Sequence, residues 1–292
     1  MATRGVILDG GLSTALEQLG SSLHTSLWSG ELVKSHPERI RAAHKLFADA
    51  GAQILITSSY QVTYPGCAAL GWNHDDITSA LVASTELARF PTAKVAASIG
   101  PYGAYLADGS EYKGNYGLTI SELKDFHRER LLTLISTDPD YLAFETIPEI
   151  NEARAYIELM GENKSQIPYW LSFSCKSESE ISSGESFAAA VALVAESSNA
   201  YAVGINCTAP HLVTPLLASA NSSLPFIVYP NSGRIWDADT KNWYGSADHG
   251  FSGAMIQAWQ QCGATIIGGC CGVGPSEISH LAKLLTMSSF SI

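Results

Sequence analysis

The chain has 292 residues, of which 46% are hydrophobic and 15% charged, and a formal net charge of −11 at neutral pH. That composition supplies a large core and excludes global disorder, and the acidic balance, with no Lys/Arg cluster, excludes a general affinity for nucleic acid or anionic membranes. The opening MATRGVILDGG lacks an apolar stretch of signal-peptide length, and no window approaches the roughly 18 apolar residues of a bilayer span, so a cytoplasmic enzyme with six reduced cysteines is expected.

In chain order, a strand is expected over 5–11 (GVILDGG). Pro37-Glu38 then opens a helix that Gly51 stops, following the Pro-at-start, Gly-at-end asymmetry. A strand over 52–61 precedes a helix over 75–90. The next strand, 94–103, leads to a helix over 119–137 whose Thr119 and Glu122 have capping-box spacing. Strands at 141–148, 168–175, 201–208, 225–232 and 264–272 alternate with helices at 149–161, 185–198, near 211–221, 252–263 and 275–285.

Each strand begins with nearly continuous apolar residues, as a parallel strand covered on both faces requires. Eight strands each followed by a helix give the α/β count of a (β/α)8 TIM barrel, and no linker interrupts residues 1–292, so a single domain is expected. A doubly wound sheet is the alternative, but no GxGxxG follows the first strand. The polar, aromatic segment 103–118 lies where a barrel carries an active-site lid.

Active sites of such barrels sit at the C-terminal ends of the strands. Those ends carry Asp9, Thr57-Ser58, Glu145, Asn206-Cys207, Asn231 and Cys270-Cys271. Cys207 and the adjacent pair lie at the mouths of the sixth and eighth strands, separated by one neighbour. Three thiolates with an open fourth position describe a catalytic zinc site; the other reading is of small buried hydrophobes. Glycines at 268, 269 and 272 let the backbone bend so that both adjacent sulfurs turn one way. Asp9 and Glu145 each end an apolar run with no obvious cationic mate. Either a substrate ammonium satisfies them, or they cap loop backbone.

DGGLSTALEQLG, ITSSYQ, GPYGAYLADGSEYKGNYG, FHRER, FETIPEI, GINCT, VYPNSG and GGCCG occur in this order across almost the whole chain. Together they resemble the homocysteine S-methyltransferase family, in the branch using S-methylmethionine or S-adenosylmethionine. The resemblance implies a barrel with one Zn²⁺ per chain on Cys207, Cys270 and Cys271, and a homocysteine-binding domain spanning 1–292. It also implies that Asp9 and Glu145 bind the substrate amino group, that Gly10, Thr57 and Ser58 hold the amino acid, and that Asn206 sits beside the metal. Tyr60 falls near the methyl-transfer centre.

The partners implied are homocysteine and a sulfonium methyl donor; oligomeric state is left open. The chain departs from the family after the cysteine pair, reading GGCCGVG where GGCCR and hydroxyl residues are common. In such chemistry a thiolate displaces the methyl group of a sulfonium in line, and positioning dominates the rate. Tyr60, Tyr64, Tyr102, Tyr229 and Trp243 are candidate cation–π partners for the sulfonium. A selenocysteine- or betaine-dependent methyltransferase would use the same pocket chemistry. A carbon–carbon lyase would want a Schiff-base lysine or a hard-metal carboxylate site, and a zinc-storage or redox protein would want CxxC pairs; the strand ends carry neither lysine nor CxxC.

Overall fold

Among the described residues, runs too short for helices and mostly rich in β-branched or aromatic residues form ten strands: β1 (Val6–Ile7), β2 (Ile54–Ile56), β3 (Lys94–Ile99), β4 (Tyr141–Ile147), β5 (Tyr169–Phe173), β6 (Ala200–Asn206), β7 (Phe226–Tyr229), β8 (Ile235–Asp237), β9 (Asn242–Tyr244) and β10 (Ala264–Ile267). The structure is a computed structural model that describes residues 5–23, 27–233, 235–237, 242–244 and 251–287. Eight strands form one parallel sheet in the order β1-β10-β7-β6-β5-β4-β3-β2. Leu8 bridges Ile54 in parallel sense, and Asp9 N donates to Ile54 O (3.1 Å), which closes the sheet into the expected (β/α)8 barrel. The antiparallel hairpin β8–β9, which the sequence reading treated as loop, lies outside the barrel sheet. The side chain of Trp243, on β9, is outside the described residues.

The eight expected helices form within a few residues of their anticipated limits, for example Pro37–Asp49 and Ile120–Ser136. The capping box is present: Glu122 N donates to Thr119 Oγ1 (3.3 Å) and Thr119 N donates to Glu122 Oε2 (2.8 Å). Short helices at Leu12–Gln18, Ser29–Ser35, Tyr64–Ala69 and Tyr102–Leu106 were not expected, because five to seven residues are too few to display helical periodicity. No helix among the described residues is long and apolar enough to cross a membrane.

Period-two alternation splits the core into two parts. Leu8, Ile54, Ala96, Tyr141, Ala143, Trp170, Ala202, Ile227 and Ile266 point inward and fill the barrel. Their neighbours Ile7, Leu55, Ala97, Leu142, Phe144, Leu171, Val203, Val228 and Ile267 point outward under the helices. Gly204, paired with Ile227, marks the tightest place in this packing: a Cβ there would lie 1.8 Å from the Ile227 carbonyl oxygen. Gly204→Ala should therefore destabilise the fold by about 3 kcal/mol, the upper range for overpacking. Urea denaturation measures it, and a loss below about 1 kcal/mol would mean that β6 and β7 separate freely.

Candidate active site

The alternation that fills the barrel also sets its mouth. Two residues beyond the inward apolar layer, Ser98, Glu145, Ser172 and Tyr229 occupy the next inward positions. Ser98 Oγ donates to Glu145 Oε1, Tyr229 OH pairs with Ser172 Oγ, and Trp170 Nε1 donates to Tyr229 OH (3.1 Å). Above this layer opens a pocket lined by Gly10, Thr57, Tyr60, Glu145, Asn206, Cys207, Cys270 and Cys271 among others. Eight of the ten expected site residues thus meet in one place. Asp9 and Ser58 are buried but do not border the pocket.

The sulfurs of Cys207, Cys270 and Cys271 all lie within 4.8 Å of one another. Cys207 and Cys270 are joined by a disulfide, so the expectation of six reduced thiols is corrected at this pair; Cys67, Cys175, Cys262 and Cys271 are free. The barrel itself makes the pairing possible, because β6 and β10 flank β7 and bring residues 63 apart in sequence side by side. Cys271 is buried, and burial pushes its thiol up to about 12. Three soft sulfur donors in one cluster fit a thiophilic metal, once the disulfide is reduced to thiolates.

The loops carrying the cysteines are rigid. Cys207 (φ +46°), just after β6, and Thr146 (φ +60°), in β4, sit in the left-handed region, which costs a non-glycine residue on the order of 1 kcal/mol or more. Asn206 holds both turns: its Oδ1 accepts from Thr146 N (2.8 Å) and its Nδ2 donates to Thr146 Oγ1 (2.7 Å). The departure at GGCCGVG has a packing reason. Gly272 (φ +78°) lies where a Cβ would come 2.2 Å from Ser232 Oγ, leaving no room for an arginine unless Ser232 moves. Val273 is buried, and its carbonyl accepts from Gly11 N (2.9 Å), tying the cysteine loop to the end of β1.

The two acids differ in their surroundings. Burial pushes Glu145 up to about 7, against the hydrogen bonds from Ser98 and Tyr229. Burial raises Asp9 well above the carboxylate range, and the nearby Glu145 charge adds to this. Asp9 Oδ2 accepts from Ile56 N (2.8 Å), as the backbone-capping reading expected, whereas Oδ1 is buried without a partner. Neither acid makes an ion pair among the described residues. Thr57 spends its hydroxyl on the next strand, accepting from Ser98 N (2.9 Å).

Several residues at the site were missed by the sequence reading. The segment 103–118 is no free flap: its 3₁₀ turn, Ser110–Tyr112, is held where Ser174 Oγ donates to Glu111 O (2.8 Å), and it brings Glu111 and Tyr112 to the pocket. Trp28 also lines it, with φ +49° at the start of its helix. Arg130, from FHRER, donates to the carbonyls of Gly100 (2.7 Å) and Tyr60 (3.2 Å), fixing the backbone behind Tyr60. Of the aromatic candidates, Tyr60 and Tyr229 reach the pocket; Tyr64 bonds Thr78 and Thr133, and Tyr102 packs on Tyr105, Tyr116 and Phe126. Alternation along β3 and β5 would have found Ser98 and Ser172; no local pattern announces Glu111 or Trp28.

Known proteins share this arrangement of chain. Residues 6–285 match the family model described as homocysteine S-methyltransferase. Homocysteine S-methyltransferase 1 of Arabidopsis thaliana is 42% identical, over 95% of this chain and 92% of the relative. The homocysteine methyltransferase MmuM of Escherichia coli superposes in its metallated form with a TM-score of 0.85 at 36% identity, and in its oxidized form with 0.86 at 37%, each covering 96% of both chains. With an eight-stranded barrel, a sulfur cluster at its mouth and this extent of similarity, the chain belongs to the homocysteine S-methyltransferase family.

Proposed function

We propose that the chain, as one homocysteine-binding domain, transfers a methyl group from a sulfonium donor, S-methylmethionine or S-adenosylmethionine, to the thiol of L-homocysteine, forming methionine in the cytoplasm. The observation that carries this reading is the cluster of Cys207, Cys270 and Cys271, within 4.8 Å, in the same pocket as the buried Glu145. The three cysteines would hold one Zn²⁺, whose charge, when bound, favours the thiolate form of sulfur at neutral pH.

The chain's own groups do the rest. Glu145, oriented by Ser98 and Tyr229, offers its carboxylate to the homocysteine ammonium, whose charge would in turn favour ionisation of the buried Asp9. The Asn206–Thr146 latch keeps Cys207 in place, and the covering turn at Ser110–Tyr112 limits water. Homocysteine sulfur attacks the donor methyl carbon in line; an S–C bond forms as the donor's S–CH₃ bond breaks. The electron pair stays on the departing sulfur, which leaves as a neutral thioether and needs no general acid. Alignment is therefore the main contribution, which agrees with a site built on strand ends and latched loops. No lysine is among the described residues lining the pocket, so the carbon–carbon lyase reading has no Schiff-base candidate among them.

The test joins metal analysis to a transfer assay. Reduced protein should carry about one zinc per chain and form methionine from homocysteine plus S-methylmethionine. Protein kept oxidised at Cys207–Cys270 should do neither. Full transfer by metal-free or oxidised protein would overturn the proposal.

A further inference from the structure

A second carboxylate borders the pocket besides Glu145. Glu111 stands on the 3₁₀ turn Ser110–Tyr112, and the fold fixes its backbone twice. Ser174 Oγ donates to its carbonyl (2.8 Å). Its amide nitrogen passes so near Gly103 that a Cβ there would come within 2.4 Å, so only glycine admits this path. The side chain nevertheless ends unmatched: Oε2 is buried and has no hydrogen-bond partner. Burial pushes the carboxyl up to about 7, with only the more distant Lys113 charge among cations acting against it. A buried acceptor left unpaired is costly, more so when ionised, and such a group is stabilised by a cation that arrives with a ligand.

The position identifies which cation. Glu111 and Tyr112 line the same pocket as Cys207, Cys270 and Cys271. In the reading above, the acceptor's ammonium is taken by Glu145. The group that must approach the sulfur cluster for transfer is the positively charged sulfonium of the donor, and Trp28, Tyr60 and Tyr112 present aromatic surface to the same space.

We propose that Glu111 is the donor-specificity residue, its carboxylate recognising the sulfonium charge of the methyl donor. The proposal rests on the methyltransferase reading above for the identity of the donor. Because the sulfonium charge vanishes as the methyl group leaves, the carboxylate favours the bound donor over the transition state. Its removal therefore weakens donor affinity without slowing the chemical step.

The test compares S-methylmethionine with L-homoleucine (2-amino-5-methylhexanoic acid), the neutral isostere in which CH replaces the sulfonium sulfur. Calorimetric titration of reduced, zinc-loaded wild-type protein should show preference for S-methylmethionine. Glu111→Gln should weaken S-methylmethionine at least about 10-fold, as expected for losing one partner of a buried charge pair. L-Homoleucine affinity and the homocysteine KM should change less than about 2-fold, and Glu111→Asp, which keeps the charge, should retain part of the preference. Equal weakening of both ligands, no weakening of either, or absence of preference in the wild type would overturn the proposal. The titration involves no turnover. A wild-type protein that binds the sulfonium but never methylates homocysteine would refute the functional reading while leaving the Glu111 result interpretable.

Discussion

Cys271→Ser should lower methyl transfer at least about 100-fold and leave the reduced protein without zinc, since a serine hydroxyl does not ionise near neutral pH as a thiol ligand can. Among the three clustered cysteines this substitution is the most informative. Cys271 is the one sulfur outside the Cys207–Cys270 disulfide, so its loss separates the metal's contribution from that of the covalent link. Serine is nearly isosteric, and the backbone at this point is held independently, with Ser232 N donating to Cys271 O (2.9 Å). The thermal midpoint of oxidised protein should therefore shift by no more than about 2 °C. Elemental analysis of the reduced protein and a methionine-formation assay decide the matter. Zinc at wild-type stoichiometry, or undiminished transfer, would show that Cys271 is only a buried hydrophobe.

Glu145→Gln should produce opposite effects on function and on stability. The amide keeps the size of the side chain and an oxygen that can accept from Ser98 Oγ, but loses the charge proposed to hold the substrate ammonium. Removing one partner of a buried ionic contact raises the homocysteine KM by roughly 100-fold. Stability moves the other way. In the ligand-free protein Glu145 has its pKa raised from 4.5 to about 7 by burial. A raised folded-state value means that the native state retains a proton the unfolded chain releases. The contribution is fully present below about pH 4.5 and is lost as pH climbs through 7. The loss over this window is on the order of 2 to 3 kcal/mol. Glu145→Gln should flatten that part of the stability profile and raise the thermal midpoint at pH 8 by about 4 °C. Denaturation at several pH values, with zinc content and KM measured in parallel, checks all three. An unchanged KM, or loss of zinc from the variant, would mean that Glu145 serves the metal cluster or the fold and not the ammonium.

Much of the architecture was legible because it repeats. Eight apolar runs alternating with helical patterns admit few closed arrangements, and Pro37, Thr119 and Gly51 mark helix ends by their own backbone chemistry. Once a barrel was inferred, its geometry gathered polar strand ends, of which Thr57, Glu145, Asn206, Cys207, Cys270 and Cys271 line one pocket; Gly10 and Tyr60 came from the family resemblance. The ordered motifs then identified the family. These inferences draw on local periodicity and on a topological rule, both of which are written along the chain.

What only the tertiary structure decided depends on contacts between residues far apart in sequence. Thr57 is one case: its hydroxyl bonds to Ser98 N instead of facing solvent. In another, Asn206 spends both ends of its amide on Thr146, a latch created by two left-handed turns that no local pattern forecasts. The Gly272-Val273-Gly274 departure becomes intelligible when Ser232 and the end of β1 are seen against it. Glu111 reaches the pocket only because Gly103 and Ser174 fix the covering turn. Composition and periodicity specify which surfaces must be buried, and so the fold. They do not specify which polar atoms remain unpaired after burial, and in the pocket wall that atom is Glu111 Oε2, with Asp9 Oδ1 unpaired behind it.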